Sequence, residues 1–282
     1  MSIYLLILLL PSALCYIPSQ SLELWHYNCA AYCQPTWLST WNVTNIQTLH
    51  PLVTDIKVYQ YTPTDNLAFI GYNPTSNLVF LVFRGTMDLS IENWISDFDF
   101  PMTSYPKCLF CSVHQGFYAA YTNLSPSTII NDLYNLHLSY PTAKVVVTGH
   151  SLGGALAALA FVDVYEKFNG LNVTVDMYTY GEPRVGNAFF ANYFKTLTFA
   201  SGEKWRITHF LDPVPQVPPI FFGFQHSEAE IYYNEDSTSF TQCSGSEDLQ
   251  CQDGVALFAL DVLDHVTYMG YNQQLQMISC NL

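Results

Sequence analysis

Residues 149–153 read Gly-His-Ser-Leu-Gly, and the segments on either side leave few folds open to the chain. Ahead of them, Ala143 to Thr148 is a valine-rich run that reads as a buried strand. Behind them, Leu152 to Phe168 is rich in alanine and leucine, apolar nearly all round, and closes at Asn169-Gly170. That is the pattern of a helix lying between a sheet and an outer layer. A serine between glycines on so sharp a strand-to-helix turn sits in a strained backbone conformation, its hydroxyl raised above the sheet edge. The helix start favours negative charge beside it, and the Leu152 amide is placed to donate to a developing oxyanion. The bare pentapeptide is common. The strand before it and the helix after it make Ser151 a candidate nucleophile.

The same alternation continues along the chain. Leu78 to Phe83 reads as a strand buried on both faces, and Val173 to Tyr180 and Lys204 to Phe210 as further strands. Ser125-Pro126 is expected to cap and start a helix carrying Ile129, Ile130, Leu133 and Leu136, which Pro141 helps to end. No repeat or low-complexity tract interrupts the pattern. The expectation is an α/β fold: one mostly parallel sheet with crossover helices, its chemistry at the carboxyl ends of the strands.

Half of the 282 residues are apolar and 11% are charged, enough for a substantial core. Acidic residues outnumber basic ones 23 to 9, for a net charge of −14. With no basic cluster to offset it, that balance excludes nucleic acid and anionic bilayers as natural partners.

The first charged side chain is Glu23, and residues 3–10 form an apolar run followed by Pro-Ser-Ala-Leu-Cys. Residues 1–15 therefore read as a secretory signal, too short to span a bilayer comfortably, leaving 16–282 as one α/β domain. Seven cysteines remain after such a cut. Cys108/Cys111 and Cys243/Cys251 are spaced like zinc ligands but lack flanking partners, so disulfides in an oxidising compartment are the better reading. Sequons at Asn42, Asn123 and Asn172 agree with secretion.

A nucleophilic serine needs an imidazole to take its proton and an acid to orient that imidazole. Asp212 follows a strand and opens the rigid Asp-Pro-Val-Pro loop. Beyond it, His226 and His265 are the histidines available as base.

Beyond these residues, the chain resembles the class 3 lipases, the fungal-type triacylglycerol lipase family. The resemblance rests on Val-Thr-Gly-His-Ser-Leu-Gly-Gly around Ser151 and on motifs that run in order along the chain. These are Phe83-Arg84-Gly85-Thr86, Ile91-Glu92-Asn93-Trp94, Val113 to Phe117, Tyr180 to Gly186, Arg206 to His209, Asp212 to Pro215 and Asp264 to Tyr268. It spans roughly residues 25–282 and implies the α/β-hydrolase fold. It implies Asp212 as the acid and His265 as the base, with His226 left to the core or a substrate pocket. Thr86 joins the Leu152 amide as an oxyanion donor, and Arg84 becomes a structural ion-pair partner. His114, His150 and His209 fall to structural hydrogen bonding. Pairings of Cys33 with Cys280, Cys108 with Cys111 and Cys243 with Cys251 are likewise implied, leaving Cys29 over.

By the same resemblance, Met87 to Trp94 align with a short amphipathic lid helix, with Leu89, Ile91 and Trp94 closing over the serine in water and turning to lipid at an interface. Two residues more than expected separate Thr86 from the tryptophan. The implied activity is hydrolysis of triacylglycerols through an acyl-enzyme, with no metal or organic cofactor and a lipid interface as partner. Phospholipase A1 and galactolipase activities are the nearest alternatives, since the same three residues serve any carboxylic ester. A lipid-binding protein that lost catalysis would usually lack one of the three; here all are filled in order.

Overall fold

The computed structural model describes residues 16–87, 99–227, 229–256 and 260–281. The expected leader at 1–15, and Leu89, Ile91 and Trp94 of the expected lid, lie outside them.

The main sheet has eight strands, and their order in space repeats their order in the chain. They are β1 (Thr54–Tyr61), β2 (Asn66–Asn73), β3 (Leu78–Phe83), β4 (Lys144–His150), β5 (Val175–Tyr180), β6 (Lys204–His209), β7 (Glu230–Tyr233) and β8 (Phe240–Gln242). The strands from β3 to β7 pair parallel; β1, β2 and β8 pair antiparallel at the edges. All of β3 and β5 is buried; β3 accordingly reads as an unbroken apolar run, while β5 carries Asp176 and Thr179 among its apolar residues.

The sequential order has a physical cause. Between β3 and β4 the chain forms α2 (Gln115–Asn123) and α3 (Pro126–Ser139); α4 (Leu152–Phe168) links β4 to β5, and α5 (Ala188–Thr196) links β5 to β6. All four bury side chains in one apolar cluster on one face, among them Phe117, Ile129, Leu133, Leu156, Phe161 and Phe194. Right-handed crossovers on a single face step each new strand to the same side. The opposite face is covered by α1 (Pro18–Ala30), whose Trp25 and Tyr27 pack with Phe80, Tyr178, Tyr180 and Tyr268. The Cys33–Cys280 disulfide ties the chain just beyond α1 to α6 (Gln273–Asn281).

Two local expectations are refined. Ser125 does precede α3, but it adopts a left-handed φ of 58° and its side chain makes no capping bond, so Pro126 alone presets the first turn. Helix α4 stops at Phe168, and Gly170 takes the left-handed φ of 89° that reverses the chain. A second sheet, absent from the sequence reading, joins four very short strands in the order Phe224–Gln225, Gly186–Asn187, Ser112–His114 and Met102–Ser104.

Candidate active site

The carboxyl ends of β3, β4, β5 and β6 deliver the expected residues to one place. Strand β4 ends at His150 and α4 begins at Leu152, so Ser151 alone makes the turn. Its φ of 60° and ψ of −131° lie where a residue bearing a side chain is strained, by roughly 1–3 kcal/mol. A Cβ on Gly149 would fall 1.9 Å from the Gly153 oxygen, and one on Gly153 would fall 2.1 Å from the Phe83 oxygen, so the turn closes only with glycine at both places. The Ser151 amide is anchored to the Tyr180 carbonyl at 2.9 Å.

Chain leaving β3 passes directly beside the serine. The Cβ position of Gly85 lies 3.0 Å from the Ser151 Cβ, and half-buried Thr86 follows it. Leu152, also half-buried, flanks Ser151 on the helix side. Thr86 and Leu152, the two expected oxyanion donors, thus lie next to Ser151.

Asp212 and His265 meet as expected. Nδ1 of His265 lies 2.9 Å from each carboxylate oxygen of Asp212, and both residues are fully buried. Asp212 Oδ1 also accepts the Val214 amide at 2.8 Å, while Oδ2 accepts the hydroxyl of Tyr268. Burial and the Asp212 charge hold the Tyr268 phenol well above its ordinary range, so it stays a donor. A carboxylate only accepts, so His265 carries its hydrogen on Nδ1 and presents a lone pair on Nε2. That Nε2 is buried and has no hydrogen-bond partner among the described residues; the structure does not close a bond from it to Ser151. Gly181, one residue beyond the carbonyl that anchors Ser151, packs against the pair: a Cβ there would lie 2.7 Å from Asp212 Oδ2 and 2.8 Å from His265 Nδ1.

Behind the site runs a chain of bonds that sequence reasoning missed. The Gly85 amide donates to the Tyr32 hydroxyl, which lies 2.7 Å from Nδ1 of His150. Nε2 of His150 lies 2.8 Å from the His265 carbonyl oxygen. Burial, and His265 close by, push the His150 pKa far down and keep it neutral. Its tautomer follows: Nε2–H donates to His265, and Nδ1 accepts from Tyr32. Nothing around Tyr32 in the sequence signals this; its partner is 118 residues away.

Glu182 is a second residue without an expected role. It is buried against the start of α4, its Cβ 3.1 Å from the Cβ position of Gly154, and accepts the Thr179 hydroxyl at 2.6 Å. Burial pushes its carboxyl up to about 7, with Arg206 and Thr179 working against that rise.

The remaining candidates fall as follows. His226 is buried with Nε2 2.8 Å from the Pro215 oxygen, in the core and not on Asp212. His114 accepts the Phe117 amide at 3.2 Å, His209 lies 3.1 Å from the Asp264 oxygen, and Arg84 pairs with Asp65 at 2.8 Å. All three implied disulfides are present, and Cys29 is free and buried. Glu230, Cys243 and Cys251 cluster like metal donors, but the two sulfurs are bonded to each other and offer no thiolate.

Comparison with known proteins places this geometry. The family model described as Lipase (class 3) matches residues 80–222. "Secreted mono- and diacylglycerol lipase 1" of Fusarium solani is 38% identical over 187 residues, 64% of this chain and 53% of its own length. "Lipase" of Rhizomucor miehei is 38% identical over 187 residues, 65% of this chain and 50% of its own. The chain thus spans about half the length of these curated relatives. A solved structure described as "a serine protease triad forms the catalytic centre of a triacylglycerol lipase" superposes with a TM-score of 0.82 at 30% identity, covering 92% of this chain and 96% of that one. The Rhizomucor miehei lipase propeptide complex gives 0.81 at 30% identity, covering 91% and 81%.

Proposed function

Since this chain belongs to the class 3 lipase family, we propose that it hydrolyses fatty acyl esters of glycerol, triacylglycerols foremost, with Ser151 as nucleophile. The observation that carries this reading is the Asp212–His265 contact beside the strained serine turn. In the proposed reaction, Nε2 of His265 takes the Ser151 hydroxyl proton as Oγ attacks the ester carbonyl. The tetrahedral oxyanion is held by the Leu152 amide and by the amide and hydroxyl of Thr86. His265 then returns the proton to the departing glyceride oxygen, leaving an acyl-serine. Water, deprotonated by the same imidazole, attacks the acyl carbon and releases the fatty acid and free serine.

Asp212 fixes the His265 tautomer throughout and carries no proton itself. Leu89, Ile91 and Trp94 are proposed to form the lid that opens at the lipid–water interface. A leader at 1–15 and export from the cell fit the relative named as secreted, and no described helix is long and apolar enough to cross a membrane.

The test is hydrolysis of a long-chain triolein emulsion by wild type and Ser151→Ala, with phosphatidylcholine and galactolipid run in parallel. Wild type should release fatty acid fastest from triolein. Equal release by both proteins would overturn the reading, and faster release from either polar lipid would move the substrate to that class. An active-site phosphonate should label Ser151; no labelling would leave a lipid carrier.

A further inference from the structure

We propose that a cavity between α2, α3 and α4 binds a neutral pyranose sugar, remote from the ester site and independent of its chemistry. The cavity measures about 510 Å³, a size ordinary for small-molecule sites. Tyr118 on α2, Ile130 on α3 and Asp163 on α4 border it, and Tyr105 and Lys107, just before the Cys108–Cys111 loop, form the fourth wall. Asp163 sits far along α4 from Ser151, roughly 18 Å away at about 1.5 Å per residue.

In a chain of net charge −14, the lining is electrically balanced: Lys107 and Lys167 against Asp163 and Glu166. All four are already engaged. Lys107 donates to both Asp163 and Glu166, and Tyr121 donates its hydroxyl to Asp163. Lys167 donates to Asn131 Oδ1 at 2.9 Å, with its ammonium 4.7 Å from the centre of the Tyr134 ring. An anion entering here would meet two carboxylates, and a cation two ammonium groups. Neither finds a free counter-charge.

The polar groups left uncommitted are neutral. Tyr105 is only 3% exposed, yet its hydroxyl makes no hydrogen bond to another described residue, and it borders the cavity. The hydroxyls of Tyr118 and Ser127 and the Nδ2 of Asn131 also lack a partner among the described residues. A phenol as buried as Tyr105 is normally hydrogen-bonded, so a ligand hydroxyl is the partner that fits. Its ring is held in advance: it stands nearly perpendicular to Tyr118 at 5.7 Å and to Phe190 at 5.3 Å. Its amide donates to the Cys111 carbonyl at 2.9 Å. A site already set in place loses little freedom on binding.

These groups select the ligand class. Apolar lining comes from tyrosine rings, Ile130 and Pro126. A fatty acyl chain would cover the uncommitted hydroxyls and amide while bonding none of them, which is costly. A pyranose offers both surfaces at once. Its C–H faces lie against aromatic and aliphatic carbon, and its edge of hydroxyls donates to and accepts from hydroxyls and amides.

The test is titration of the full chain with methyl α-glucoside and with maltotriose, followed by ligand-observed NMR, with glucuronate, glucosamine and octanoate as charged controls. Both neutral sugars should bind saturably and the controls more weakly. Tyr105→Phe, which removes one hydroxyl, should weaken sugar binding about 5- to 10-fold. Tyr118→Ala should weaken it about 10-fold or more. Turnover of p-nitrophenyl butyrate should be unchanged in both variants; if Tyr118→Ala does not fold, Tyr105→Phe decides alone. Tighter binding of maltotriose than of the glucoside upholds the site and makes its occupant the end of a glycan; equal binding upholds it for a free sugar. The proposal is overturned if neither neutral sugar saturates, if any charged control binds more tightly, or if Tyr105→Phe binds sugar as wild type does.

Discussion

His150 holds His265 by the main chain: its Nε2–H donates to the His265 carbonyl oxygen at 2.8 Å, and the two rings lie 4.5 Å apart. The residue before Ser151 thereby sets the position of His265 across 115 residues of sequence. Tyr32 extends the tie to Gly85, next to Thr86.

Removing that tie should lower kcat and spare KM. His150→Leu is expected to reduce kcat on a soluble ester by roughly 10- to 100-fold, because His265 loses its register with Ser151. His150→Gln, whose amide can still donate, should recover part of the loss. A raised KM with unchanged kcat would contradict a positioning role.

Ser151 should trade stability for chemistry. Ser151→Ala and Ser151→Gly both remove the proposed nucleophile, and kcat should fall roughly 10⁴-fold or more in each. Only glycine tolerates the φ of 60° without strain. Ser151→Gly should therefore be the more stable of the two by about 1–3 kcal/mol, seen as a Tm several degrees higher. Equal melting temperatures would mean that the turn stores no strain.

Glu182 makes stability depend on pH. Its carboxyl is pushed up to about 7 in the folded protein against an ordinary 4.5. As pH rises, the unfolded chain gives up this proton first, so the contribution favours folding below about 4.5 and is lost by about 7. The loss is on the order of 3 kcal/mol. Glu182→Gln should match wild type near pH 4.5 and exceed it in Tm at pH 8. Parallel Tm curves across that range would show that Glu182 ionises freely.

The disulfides should differ in weight. Cys33 and Cys280 are separated by 247 residues, Cys108 and Cys111 by 3. Cys33→Ser/Cys280→Ser should cost about 2–5 kcal/mol by freeing a long loop in the unfolded chain, a fall in Tm of roughly 5–15 °C. Cys108→Ser/Cys111→Ser should cost much less. Calorimetry of the two double variants gives the ranking directly, and the reverse order would refute it.

What could be read from sequence was local or carried by ordered motifs. The serine turn was legible because a strand, two glycines and a helix stand side by side, and Asp212 and His265 because they sit in the motifs of a family. Tyr32 and Glu182 were not, since their roles arise from burial against distant segments. The second sheet was hidden for a different reason: strands of two or three residues are too short to show alternation. Ser125 shows the limit of local chemistry, where a left-handed backbone turns a favoured capping residue away from its helix.

A sheet whose spatial order is its chain order can be built by simple addition, each strand docking on the one made just before it. As the chain leaves the ribosome, Ser151 can settle into its turn once β5 supplies the Tyr180 carbonyl. His265 follows the eighth strand, last of all to arrive. On the proposed assignment, the serine is therefore synthesised well before the histidine that would activate it.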